Sequence, residues 1–398
     1  MEDHLDSAKG SPVLEKYILP FRSLDIETPA YVYDLRELDR CLDHANLAAE
    51  HAGCKLLYSL KACSIQAVLS SIAPRITGFA CSSRFELETA KQIAARDQTL
   101  HFTSPGIRPG DFPEILAATD YFSANSINQW QHAISSFGVS RGIRVNPGIS
   151  FAKDERYDPC RCNSKLGIQL KSLVTALNHD TLDDVEGLHF HTHCEGESFL
   201  PLEATATALG DALDPFLDRF RWINLGGGYY FWDPDTFDAL ARAVNRLRGN
   251  RDVQVYLEPG AGIVQSSGAL VSTVVDVLPG DSRPVLVLDA SVNHMPEVFE
   301  YQYQPDLMDE SGQSSHRYIL AGASCLAGDI FGEYSLDEPA VPGMRIAFEY
   351  AGAYTHVKSH MFNGINLPSI YLYDNDCNAN TVRQYGYSDF KQRNEDLP

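Results

Sequence analysis

Lys61 closes the run Lys55-Leu56-Leu57-Tyr58-Ser59-Leu60-Lys61. The run reads as a buried strand, and a charged, unpaired lysine at its end would cost several kcal/mol. Two outcomes relieve that cost. A neighbouring acid can pair with the ammonium, which is the common fate of such a lysine, or the amine can become a covalent imine. Other chemically capable residues follow. His189-Phe190-His191-Thr192-His193-Cys194-Glu195 places His189, His191 and His193 on one side of an extended segment. One of these rings could stack on a flat ligand, although a strand histidine is more often a satisfied core residue. Gly226-Gly227-Gly228 would let backbone N–H groups approach a phosphate, or simply make a turn. Glu258, before Pro259-Gly260, could hold a ring nitrogen protonated, or cap a turn.

The elements that must position these residues have a regular rhythm. Short apolar strands are expected at 56–60, 77–81, 101–104, 121–124, 142–146, 187–191, 222–225 and 253–258, with helical segments such as 35–52, 84–96, 199–219 and 236–248 between or before them. Eight βα units predict a (β/α)8 barrel. In such a barrel the chemistry lies at the C-terminal strand ends, and Lys61, Arg144-Val145-Asn146, His191, Gly226–Gly228 and Glu258 all fall there. After Gly260 the pattern changes to β-rich, Gly/Pro-punctuated sequence at 269–278, 284–290, 317–323 and 344–350, which predicts a separate β domain. The expected organisation is a tail over 1–27, a barrel over 28–265 with a strand at 29–34 joining the β domain, and a C-terminal β domain over 266–398. Residues 300–316 read as a surface loop.

Composition narrows the partners. The chain has 398 residues and a net charge of −21, from 53 acidic and 32 basic residues. That balance argues against nucleic acid and would steer a cationic substrate, though solubility alone explains many acidic proteins. No apolar run is long enough to span a membrane, no leader is visible at Met1–Gly10, and nine irregularly spaced cysteines make no secreted disulfide framework. Cys160-Arg161-Cys162 lacks the second pair a zinc site needs. A cytoplasmic setting is expected.

Taken together, Tyr58-Ser59-Leu60-Lys61, Phe190-His191, Gly226-Gly227-Gly228, Glu258-Pro259-Gly260 and Cys325 resemble the fold type III, alanine-racemase-like decarboxylases that use pyridoxal 5'-phosphate (PLP). The likeness runs from about 28 to 392. Cys325-Leu326-Ala327-Gly328-Asp329, Phe362-Asn363-Gly364, Pro368-Ser369-Ile370-Tyr371, Tyr387-Ser388-Asp389-Phe390 and the His191–Glu195 segment most resemble carboxynorspermidine decarboxylases. The resemblance implies that Lys61 carries the cofactor covalently, His191 stacks on its ring and Glu258 pairs its nitrogen. Gly226, Gly227, Gly228 and Tyr354 would hold the phosphate, and Cys325 would return the proton. Glu195, Glu297 and Asp329 would meet a cationic substrate, and a homodimer would share its active sites, with Cys325 and Asp329 crossing to the partner. Two positions depart from the pattern: Ala261 stands where the group carries a charged residue, and Glu297 where an aspartate is expected. The expected activity is decarboxylation of carboxynorspermidine or carboxyspermidine. Two alternatives stay open: a specialised-metabolism decarboxylase with another amino-acid substrate, which Ala261 favours, and a non-catalytic homologue that binds a regulatory partner. The Cys325 run and the order of the β domain match decarboxylases rather than racemases.

Overall fold

The computed structural model describes residues 16–133, 138–152, 154–179, 181–308, 310 and 316–395. The first fifteen residues of the expected tail, and 309 and 311–315 of the expected surface loop, lie outside them. The chain divides into two compact units: one built from 41–61 and 72–263, the other from 17–40, 62–71 and 264–398.

The first strand, β1 (Ala30–Asp34), belongs to the second unit. The first unit is a closed ring of eight parallel strands: β2 (Lys55–Ser59), β3 (Gly78–Cys81), β4 (Thr99–Phe102), β5 (Tyr121–Ala124), β6 (Ser140–Asn146), β8 (Gly187–His189), β9 (Trp222–Asn224) and β10 (Gln254–Leu257). Pairing of β10 with β2 and of β5 with β6 closes it. A two-residue strand, β7 (Ile168–Gln169), adds to β6 outside the ring. The expected (β/α)8 barrel is therefore present.

Local chemistry sets the helices. Ser83 caps the helix Arg84–Ile93 by accepting from the Glu86 amide, and Glu86 reaches back to the Ser82 amide at 2.6 Å, so two N-terminal donors are satisfied at once. In Phe237–Arg248 the buried residues Phe237, Leu240, Val244 and Leu247 recur at helical spacing. The barrel interior is packed around Trp222, with Leu57, Ala80 and Tyr256. A Cβ on Gly142 or Gly187 would lie 2.5 or 1.9 Å from the Trp222 ring, so two neighbouring strands are bare where this one carries an indole. Its Nε1 donates to Ser140 Oγ at 2.8 Å, which satisfies the polar edge.

The second unit is a mixed sheet in the order β14-β13-β12-β11-β1-β16-β17, with β15 paired to β11. Here β11 is Gly268–Leu278, β12 Val285–Leu288, β13 His316–Ala321, β14 Ile330–Leu336, β15 Arg345–Phe348, β16 Ser369–Tyr373 and β17 Ala379–Arg383. β1 lies between β11 (antiparallel) and β16 (parallel). The segment before β1 is not a loose tail throughout. Leu19, Phe21, Leu24 and Ile26 are buried against Val32, Val271 and Tyr371, and the Arg345 guanidinium donates to the carbonyls of Phe21, Leu24 and Ile26. Four apolar side chains at irregular spacing carry no periodic signal, so the sequence reads as patternless. β14, β16 and β17 are additional to the strands expected from sequence.

Candidate active site

The C-terminal ends of the barrel strands line a cavity that opens to solvent, with Lys61, Arg144, His189, His191, Asn224 and Glu258 among its walls. Lys61 corrects one expectation: its side chain is exposed, not buried. β2 ends at Ser59, and Leu60 still pairs with the next strand through its amide and the Ala80 carbonyl. Lys61 is thus the first residue past the ladder and faces the cavity mouth. An exposed amine needs no ion pair or imine to exist there, so its place in the cavity, rather than relief of burial, makes it a candidate nucleophile.

Glu258 lies just beyond β10 and is 7% exposed. Its Oε2 accepts from Asn224 Nδ2 at 2.9 Å, and its Oε1 lies 3.3 Å from His189 Nε2. Burial alone would raise the carboxyl's pKa; the His189 contact, and then the charge of Lys61, outweigh burial and hold it well below the usual carboxylate range. The cavity thus contains a buried acid that stays ionised.

His191 stands two residues past β8. Gly227 N donates to its Nδ1 at 3.1 Å. Desolvation, reinforced by the cations Lys61 and Arg144, pushes its pKa well below that of ordinary imidazole, so the ring is neutral. His193 diverges from it and packs edge-on against Tyr229 and Phe151. Glu195 is exposed and has φ +56°, a left-handed backbone rare outside glycine.

The glycine triplet is demanded by its own surroundings. Gly226 and Gly228 have φ of +75° and +89°. A Cβ at positions 226, 227 and 228 would lie 2.4, 2.3 and 2.0 Å from the carbonyl oxygens of Phe190, Glu258 and His193. Two of the three amides are already committed, Gly226 N to Asn224 Oδ1 at 2.8 Å and Gly227 N to His191 Nδ1. The loop therefore ties β9, the histidine segment and Glu258 into one rim.

Tyr354, Glu297, Asp329 and Cys325 belong to the second unit, and Ala261 to the first. Tyr354, also left-handed at φ +65°, donates its amide to the carbonyl of Ala62, the residue after Lys61 in the chain. Glu297 is buried and accepts from the Thr355 hydroxyl; its Oε2 is buried without a hydrogen-bond partner, and desolvation raises its pKa to about 6. Asp329 is 3% exposed and accepts from Val292 N, Ser291 Oγ and Ser324 N at 2.8–3.0 Å. These bonds secure the loop carrying Cys325, whose side chain is exposed and whose amide donates to Asn363 Oδ1. Ala261 begins the short helix Ala261–Val264. Sequence reasoning assigned no role to Asn224 or Arg144, and weighed His189 only as one of three rings that could stack on a flat ligand. The only available signal was their position at strand ends, beside the residues it did select.

A parallel barrel with an amine and a buried carboxylate on its C-terminal rim, followed by a sheet unit, is the architecture of barrel enzymes whose chemistry is supplied by a bound aromatic cofactor. A family model described as "Pyridoxal-dependent decarboxylase, C-terminal sheet domain" matches residues 30–352, and the chain belongs to this family of PLP-dependent carboxy-lyases. It is 32% identical to the carboxynorspermidine/carboxyspermidine decarboxylase of Herminiimonas arsenicoxydans, over 92% of this chain and 98% of the relative. It is 28% identical to the carboxyaminopropylagmatine decarboxylase of Synechocystis, over 94% and 96%. The crystal structure of carboxynorspermidine decarboxylase from Campylobacter jejuni complexed with norspermidine is similar at TM-score 0.83 and 28% identity, covering 93% of this chain and all of that one.

The cavity suits the cofactor. It offers a lysine amine, an ionised carboxylate opposite donors that include Asn224, and a neutral imidazole. These match, in turn, an aldehyde, a protonated pyridine nitrogen and a flat ring.

Proposed function

We propose that this enzyme removes the α-carboxylate of an amino acid with a polyamine tail, carboxynorspermidine or carboxyspermidine. The full-length likeness to relatives with that activity, together with the Lys61–His191–Glu258 rim, carries this reading. When bound, PLP supplies the aldehyde that captures the substrate amine and the conjugated ring that takes up the electrons left when CO2 departs. The protein's residues do the rest. Lys61 would hold the cofactor through its amine. Glu258, kept anionic, would accept the N–H of the ring nitrogen. His191 would stack on the ring and, being neutral, would add no competing charge.

Because the amides of Gly226 and Gly227 serve the rim, Gly228 is the residue of the triplet left to face the phosphate, with the Tyr354 hydroxyl. Cys325 delivers the proton to the carbon that lost CO2. Glu195 and Glu297 meet the ammonium groups of the substrate; Asp329, with three bonds already accepted, contributes mainly by fixing the Cys325 loop.

The functional unit in this reading is a cytoplasmic homodimer in which Cys325 serves the partner's site. Leu326, Ile330, Phe299 and Phe362 are exposed on the second unit, an apolar surface that a second copy would cover. None of the nine cysteines is joined in a disulfide, as a reducing compartment favours. Among the described residues no helix is long and apolar enough to cross a membrane. A second reading, another amino-acid substrate with a basic tail, is favoured by Ala261. CO2 release from carboxynorspermidine, carboxyspermidine, carboxyaminopropylagmatine and shorter basic amino acids separates the two. Turnover of a short amino acid at tenfold or more the kcat/KM of the carboxypolyamines overturns the first.

A further inference from the structure

His191 is gripped at both ring nitrogens. Its Nδ1 accepts from the Gly227 amide at 3.1 Å. A backbone N–H can only donate, so in the neutral ring the proton must sit on Nε2. The Cys194 sulfur lies 3.8 Å from Nε2, within hydrogen-bond reach for sulfur, and with that tautomer the contact is Nε2–H donating to Sγ. Cys194 is partly buried, three residues further along the same segment, and the chain between them brings its sulfur back onto the His191 ring. The two bonds act on opposite sides of one ring. One alone would leave the imidazole free to pivot about the bonded nitrogen; two define its plane.

We propose that Cys194 is a positioning residue: together with the Gly227 amide it sets the tautomer and plane of the His191 imidazole, and so presents a flat, neutral face to the cofactor. This rests on the reading that His191 stacks on the cofactor ring. Cys194 itself touches no reacting atom, and its thiol neither gives nor takes a proton in the reaction. Serine would keep an acceptor at this position, whereas alanine would remove it.

The test uses the holoenzyme and two readouts other than turnover: the visible circular dichroism per bound PLP, which reports the asymmetry of the cofactor's surroundings, and the Kd for PLP. Cys194→Ala should reduce the dichroism and weaken PLP binding about two- to tenfold, the range for one ordinary hydrogen bond. Cys194→Ser should recover most of both, and His191→Ala should be at least as impaired as Cys194→Ala. If His191→Ala changes the signals and Cys194→Ala does not, or if serine is no better than alanine, the proposal fails while the stacking reading stands. If His191→Ala leaves both signals unchanged, the stacking reading fails and the proposal with it. A wild-type measurement needs no variant to fold: long-range ¹⁵N–¹H correlation of the imidazoles, with His191 identified by its loss in His191→Gln, should show the Nε2–H tautomer. An Nδ1–H tautomer overturns the proposal.

Discussion

Replacing Glu258 by glutamine isolates the charge of the buried acid from its shape. In the wild type two carboxylate oxygens are available: Oε2 serves Asn224 Nδ2 at 2.9 Å, and Oε1 lies toward His189. Glutamine fills the same space but brings a single acceptor oxygen. That oxygen can serve Asn224 or the ring nitrogen of bound PLP, not both. The variant therefore forfeits one charge-assisted hydrogen bond, roughly 1.5–3 kcal/mol, which predicts a fall of about ten- to a hundredfold in kcat with KM little changed. The assay is initial-rate CO2 release under saturating PLP. A fall of less than about threefold would refute the assignment of Glu258 to the ring nitrogen. The same substitution has a second signature in the cofactor-free protein. The folded-state pKa of Glu258 is depressed below its unfolded value of about 4.3, so between the two the unfolded chain holds a proton that the folded one does not. Its stabilising contribution is thus full above pH ~5 and is lost as pH falls, at about 1.4 kcal/mol per pH unit. Urea midpoints for Glu258→Gln should accordingly vary less between pH 5 and 3 than those of wild type.

Four further outcomes are expected. Gly228→Ala places a Cβ 2.0 Å from the His193 carbonyl oxygen at φ +89° and should lower stability by roughly 2–4 kcal/mol in denaturant titration; a loss below 1 kcal/mol would mean the loop relaxes freely. Lys61→Ala and Cys325→Ala subunits, each inactive alone, should regain activity when mixed, and silent heterodimers would exclude a shared site. Ala261→Glu should improve kcat/KM for a long triamine about tenfold relative to shorter basic substrates, if a charge-assisted bond is restored; an unchanged ranking shows that position 261 does not read the tail. For Glu297 the linkage sign is opposite to that of Glu258: its pKa is raised to about 6, so its contribution is present below the unfolded value near 4.3 and is lost as pH rises through 6. Glu297→Gln should therefore gain up to about 2 kcal/mol over wild type at pH 7 and nothing at pH 4, read from chemical unfolding at both pH values.

The barrel was legible because each of its strands is a short apolar run and a helix-length segment separates each run from the next; that alternation also put Lys61, His191 and Glu258 on one rim. Exposure of Lys61 was not legible, since the apolar run and the ladder beside β2 both end at Leu60, and nothing in the run says whether the next side chain turns in or out. Nor was the occupancy of Asp329. A Cys-Leu-Ala-Gly-Asp run shows an acid, but the donors that saturate it come from Ser291, Val292 and Ser324, two of them more than thirty residues away. The glycine triplet was legible as a special backbone and misleading as to cause, because the atoms that forbid a side chain there are this chain's own carbonyls. The strained backbones of Glu195 and Tyr354 left no sequence mark, since neither residue type favours positive φ.

Three acids, each expected from sequence to work as an anion, sit in three physical states. Glu258 is buried and ionised because the His189 contact, the Lys61 charge and the Asn224 donor outweigh its burial. Asp329 is buried and saturated by neutral donors. Glu297 is buried with one oxygen bonded to Thr355 and the other lacking a partner, and it binds its proton too tightly. Only the third has something to gain from a cation. The fold has already borne the cost of desolvating Glu297, so an ammonium arriving at Oε2 would supply the missing partner and lower the carboxyl's pKa toward its ordinary value. If Glu297 reads the substrate tail, binding must then release a proton at pH values below about 6 and almost none at pH 8. The enthalpy of binding a non-reacting polyamine, measured by calorimetry in buffers of different ionisation enthalpy, should show that release at pH 5.5 and lose it in Glu297→Gln. A buffer-independent enthalpy at pH 5.5 would place the tail elsewhere, with the exposed Glu195 as the remaining acid of the expected set.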